Sequence, residues 1–108
     1  MTTITIQQTK SGIYKGVESF GHAEYAESGE DIVCAAISIL LITTLNYIEE
    51  KLQVPVKQTE GEEGFTSTYF LKDLSNEGIA VLEAMIYGLQ MIQKQYGKKY
   101  LALKFEEV

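Results

Sequence analysis

Apolar and polar residues alternate from Thr2 to Thr9, with Ile4 and Ile6 on one side and Thr3, Thr5 and Gln7 on the other. That period of two is the mark of a half-buried strand. Lys10-Ser11-Gly12 supplies a turn, and Ile13 to Phe20 reads as the returning strand of a hairpin. Gly16 weakens that second strand and marks a bulge or a close backbone approach. The period then changes. After a light loop from Gly21 to Glu30, a helix is expected over about Asp31 to Leu52. Pro55 cannot sit inside a helix or donate to a ladder, so Gln53 to Val56 reads as an edge or starting strand. Glu60 to Gly64 is a polar turn, and Phe65 to Leu71 is a strand rich in Thr, Phe and Tyr, completing a second hairpin. Its alternation groups Phe65, Ser67, Tyr69 and Leu71 on one face.

Ser75 is a fitting cap for a second helix. Ile79, Leu82, Met85, Ile86, Leu89 and Ile92 form its core stripe at helical spacing. Gly78 and Gly88 allow close packing, and Gly97 is expected to end the helix as a left-handed residue. Tyr100 to Glu106 closes the chain as a strand, with Leu101, Leu103 and Phe105 on one face. The predicted order is β-β-α-β-β-α-β in one domain spanning 1–108. The fold class is α+β, with two layers: a mainly antiparallel five-stranded sheet and two helices on one face. Five strands leave two edges, and an edge can pair with a second copy.

Length and charge narrow the function. A chain of 108 residues builds one core. Net charge is −6, which argues against direct nucleic-acid binding, since that needs a basic face, and permits a basic protein partner. The N-terminal residues lack the basic region and apolar run of a signal peptide. The apolar run from Ile32 to Leu45, broken by Ser38, Thr43 and Thr44, is too short for a membrane span and predicts a buried helix. One cysteine excludes an intramolecular disulfide and fits a reducing cytoplasm.

The candidate chemistry lies in Gly21 to Ser38, which holds the only histidine, His22, and the only cysteine, Cys34. A thiol becomes a strong nucleophile when ionised, and an adjacent base or a helix N-terminus does this. The ordinary alternative is that a lone cysteine among Ile, Val and Ala is a small buried hydrophobe, and a lone loop histidine is solvated. The helix start bears on the choice. Ser28 with Asp31 matches a capping box, which puts Cys34 in the second turn. Asp31 as the cap, the reading favoured here, puts Cys34 in the first turn, where the dipole stabilises a thiolate. Asp31, Cys34 and Ser38 share one face, while the faces bearing Ile32, Ala36, Ile39 and Ile42 are apolar.

Gly21-His22-Ala23, then Gly29, then Asp31-Ile32-Val33-Cys34-Ala35-Ala36 and Ser38 resemble the motif of the bacterial ribosomal-processing cysteine protease family, Prp. The resemblance extends to chain length and element order. It implies a His22–Cys34 dyad peptidase that removes a short N-terminal extension, cut after an aromatic residue, from the basic large-subunit ribosomal protein twenty-seven. It also points to a homodimer. Gly21, Asp31 and Ser38 would support the dyad, and Ala23, Tyr25 and Gly29 would belong to the substrate-binding loop.

No metal or other cofactor is expected, because one His and one Cys fall short of a structural zinc set. No phosphate-cradling glycine loop and no G-x-S-x-G are present. A carboxylate pair has nothing in the sequence to select it. Two rivals remain: a non-enzymatic acidic protein of ribosome association or assembly, and a redox-sensing thiol. Neither needs His22 to pair with Cys34.

Overall fold

The structure, a computed structural model, describes residues 1–21, 28–62 and 64–108, and the side chains within those ranges except 28–31. The first alternating stretch forms β1 (Thr2–Gln8), antiparallel to β2 (Tyr14–Phe20). Ile4 and Ile6 point to the core and are fully buried. Between them the strands are joined by a turn in which Gly12 N–H donates to the Thr9 carbonyl.

Gly16 shows both features expected of it. Gln7 faces Gly16 while Gln8 faces Tyr14, so Lys15 is an extra residue and the register shifts there. A β-carbon on Gly16 would also lie 2.7 Å from the Thr68 carbonyl oxygen on the neighbouring strand.

The remaining elements are α1 (Ser28–Glu50), β3 (Val56–Glu60), β4 (Thr66–Phe70), α2 (Asn76–Tyr96) and β5 (Leu101–Glu107). The order is the expected β-β-α-β-β-α-β. The five strands form one sheet in the order β3-β4-β2-β1-β5. Three ladders are antiparallel, and β5 runs parallel to β1, from Thr2 opposite Leu101 to Gln8 opposite Glu107. The backbone of Val108 extends that contact by donating to the Gln8 carbonyl.

The core lies between the sheet and the helices. Ile4, Ile6, Val17, Phe70 and Leu101 come from the sheet; Val33, Ile37, Leu41 and Ile48 come from α1; Leu82, Met85, Ile86 and Leu89 come from α2. Each fully buried Leu or Ile stabilises the fold by roughly 1.5–3 kcal/mol. The α2 stripe is as the spacing predicts, with Ile79 and Ile92 only partly buried at its ends. Ser75 caps α2 by accepting from the Gly78 N–H.

Several expectations need correction. α1 begins at Ser28, not near Asp31, so Ser28, Gly29 and Glu30 belong to the helix rather than to the preceding loop. β3 lies after Pro55, not before it, and takes in Glu60. The β4 alternation holds as expected, and its buried side is that of Thr68 and Phe70, while Tyr69 and Leu71 face outward. Gly97 does have positive φ, at 98°, but its ψ of 158° is extended rather than left-handed helical.

α1 also departs from the buried helix its composition predicts. Its core side is Val33, Ile37, Leu41, Thr44 and Ile48, whereas Ile32, Ile39 and Ile42 are more than half exposed. The span Ile32–Glu50 is long and apolar enough to cross a membrane by length and composition, so the sequence-based limit at Leu45 underestimated it. In the fold this helix is one wall of the core.

Candidate active site

Toward one end of the sheet the helix-facing side changes character. Its centre is apolar, but near the ends of β2, β4 and β3 it carries Ser19, Thr66, Thr68, Gln58 and Glu60. Cross-strand pairing places Ser19 opposite Thr66, Thr66 opposite Glu60, and Thr68 opposite Gln58, so these side chains share that side. Burying hydroxyl and amide groups without partners is costly, and the flank of α1 does not close down on them. A groove of about 410 Å³ remains, with an apolar helix wall and a hydroxyl-rich sheet wall.

Cys34 and Ser38 stand on the helix wall, one turn apart, followed by Leu41, Ile42, Leu45 and Asn46. Cys34 is a free thiol, neither fully buried nor fully exposed. The twelve rises from Cys34 to Asn46 span ~18 Å of helix. At ~3.3 Å per extended residue, that wall accommodates about five residues of a peptide. The volume lies within the usual range for a ligand site.

Gly21 lines the same groove. Its φ is +84°, and a β-carbon there would lie 2.6 Å from the Met1 carbonyl oxygen. Only glycine meets both demands cheaply. The close pairing of β1 and β2 therefore dictates the residue from which the chain leaves the sheet toward α1.

Of the residues singled out in the sequence, the structure brings Gly21, Cys34 and Ser38 to one groove. His22, Ala23 and Tyr25 lie outside the described residues, as does the side chain of Asp31. Gly29 is in the first turn of α1 and not in a loop. Cys34 is the seventh residue of that helix, so the expected first-turn position is wrong and the helix dipole helps its thiolate little. The sequence reading missed the sheet wall. Its signal was present as Ser19, Thr66 and Thr68, polar residues at positions where the alternation calls for apolar ones. Among the described residues, no group of three or more His, Cys, Asp or Glu side chains could hold a metal ion.

A two-layer α+β domain that presents a partly exposed thiol in a peptide-wide groove has the form of a small thiol-dependent peptide-processing enzyme. Residues 1–101 match the family model of the cysteine protease Prp, and the chain belongs to that family. It is a cysteine endopeptidase of the ribosomal-processing class.

The ribosomal processing cysteine protease Prp of Staphylococcus aureus is 30% identical over 103 residues, covering 91% of this chain and 93% of that protein. A crystal structure of S. aureus Prp with a covalently linked product peptide superposes with a TM-score of 0.84 at 26% identity, covering 98% of this chain and 100% of that one. A Streptococcus mutans protein gives 0.81 at 26% identity, over 100% and 96% of the two chains. Membership of a protease family displaces the reading of the chain as a non-enzymatic assembly factor.

Proposed function

We propose that this chain removes a short N-terminal extension from large-subunit ribosomal protein twenty-seven, using Cys34 as nucleophile and His22 as general base. One observation carries the assignment of the nucleophile: the chain has a single cysteine, and it lines the groove. His22 is the next residue after Gly21, which lines the same groove. The S. aureus relative has been captured with a substrate peptide and with a covalently linked product peptide, which supports a covalent route here.

In that route His22 takes the Cys34 proton as the sulfur attacks the scissile carbonyl. The carbonyl oxygen carries the charge of the tetrahedral intermediate. Collapse breaks the C–N bond, and His22 returns the proton to the leaving amine. Water, deprotonated by His22, then attacks the thioester and frees the new carboxyl end and the thiol. Because Cys34 is too far along α1 for strong help from the dipole, His22 is the main source of thiol activation.

Ser38 supports the site from one helical turn away, Gly21 sets the position of His22, and Asp31 helps to orient it. Ala23, Tyr25 and Gly29 contact the substrate. The enzyme works in the cytoplasm on a basic protein, to which its net charge of −6 is complementary.

It acts as a homodimer. The support is the uncharged, exposed side of α1 away from the groove, where Ile32 and Ile39 are 57% and 63% exposed, together with Tyr87 and Met91 on α2. Exposed apolar residues of this number commonly mark an association surface.

The test is incubation with the extended ribosomal protein. Loss of the extension with wild type, and none with Cys34→Ala, is expected. An extension left intact by folded wild type would refute the substrate, and cleavage by Cys34→Ala would refute the nucleophile.

A further inference from the structure

Glu60 is the one carboxylate among the described residues lining the groove, and no Lys or Arg lines it. The other lining residues are apolar or neutral polar. Glu60 ends β3, directly opposite Thr66, which itself faces Ser19. It therefore stands on the helix-facing side. The strand that carries it is an edge of the sheet, so this carboxylate sits on the outer rim, where a bound peptide can pass.

Its backbone is fixed by the following turn, in which Gly61 N–H donates to the Phe65 carbonyl and Phe65 N–H to the Glu62 carbonyl. Among the described residues the one ion pair is Lys15 with Asp73, so no described Lys pairs with Glu60. A charge beside a low-dielectric wall that carries no other described ionised side chain weighs heavily in the local field.

We infer that Glu60 is a specificity-determining residue that favours peptides presenting a cationic group beside the scissile segment. That group is the ammonium or guanidinium of a Lys or Arg side chain, or the free α-amino end of a short extension. The inference rests on the proposal that the groove holds the peptide. Glu60 takes no part in bond breaking, so its effect falls on the choice of substrate. An exposed charge pair of this kind changes a rate or affinity by about 2- to 5-fold, and salt screens it.

The experiment compares kcat/KM for a cleavable peptide in three forms: free, N-acetylated, and with each Lys or Arg replaced in turn by norleucine. Each form is given to wild type, Glu60→Gln and Glu60→Lys. One neutral form should be cut about 2- to 5-fold more slowly than the free peptide by wild type. Glu60→Gln should remove that difference, Glu60→Lys should reverse it, and high salt should shrink it. Loss with acetylation assigns the α-amino group, and loss with norleucine assigns the side chain. Equal effects of Glu60→Gln on cationic and neutral peptides, or none on either, would overturn the inference while leaving the protease reading intact. If wild type cuts no peptide at all, the groove reading fails and takes this inference with it.

Discussion

The Tyr14 hydroxyl donates a 3.0 Å hydrogen bond to the Glu83 carboxylate, joining residues 69 positions apart in the chain. The contact ties the start of β2 to the outer side of α2, next to the bulge at Lys15. Burial, the hydrogen bond to Glu83 and the negative charge of Glu83 all push the Tyr14 phenol above its usual value near 10. The folded state therefore holds this proton more tightly than the unfolded state. The stability it contributes is full below the unfolded value and is lost as pH rises through the folded one. Tyr14→Phe should cost about 0.5–1 kcal/mol at neutral pH, the low end for an exposed hydrogen bond. It should also remove part of the fall in stability above about pH 10. Denaturant unfolding of both proteins from neutral pH to pH 11 checks both points; parallel curves would exclude a role for this bond.

Gly16→Ala should destabilise by about 1–3 kcal/mol, the usual range for overpacking. The new methyl would meet backbone, the Thr68 carbonyl at 2.7 Å, and backbone in a three-strand contact cannot step aside as a side-chain tip can. A thermal melt reads the loss.

Gly21→Ala should combine a backbone cost with a functional one. A φ of +84° is unfavourable for alanine, and the Met1 carbonyl leaves no room for a β-carbon. A cost of about 1–3 kcal/mol is expected in stability. Cleavage should fall further than this loss of folded protein explains, since the residue precedes His22. Activity normalised to folded fraction separates the two effects.

Cys34→Ala should fold, at a cost of about 1–2 kcal/mol for a half-buried sulfur, and should hold uncut substrate. Alkylation of the wild-type thiol provides an independent check on His22. If His22 activates it, His22→Ala should slow alkylation at neutral pH, because less thiolate is present. Identical pH–rate curves for the two proteins would remove His22 from the mechanism.

Ile39→Glu places a charge on the exposed side of α1, away from the core stripe and the groove. If the proposed homodimer forms through this side, the substitution should yield monomer with little loss of monomer stability, read by sedimentation at several concentrations. A monomeric wild type would dispose of the dimer.

The element order was legible because its two periods are clean. Ile4 and Ile6 mark a strand, and Leu82 to Leu89 mark a helix, without help from the rest of the chain. The start of α1 was not legible. Ser28 and Asp31 are both good caps, and local preference could not choose between them; the structure runs the helix from Ser28. Nor could composition show that α1 lies half uncovered. Ile37 and Ile39 look alike in sequence, yet one is 4% exposed and the other 63%. The thiol was visible as a singleton, but the groove it faces was not. That groove depends on Ser19, Thr66 and Glu60 being brought side by side across three strands, a relation no local pattern contains.

The parallel pairing of β1 with β5 has a practical side. Thr2 lines the groove, and the Met1 carbonyl abuts Gly21. Residues fused ahead of Met1 therefore emerge at the rim of the groove, where an affinity tag can lodge as a counterfeit substrate. The other terminus leaves from the far end of the same ladder, where Val108 bonds to Gln8, ~20 Å away along the strands. A tag for assay or capture belongs there, and an N-terminal fusion of a weakly cut sequence becomes a tethered, self-reporting inhibitor.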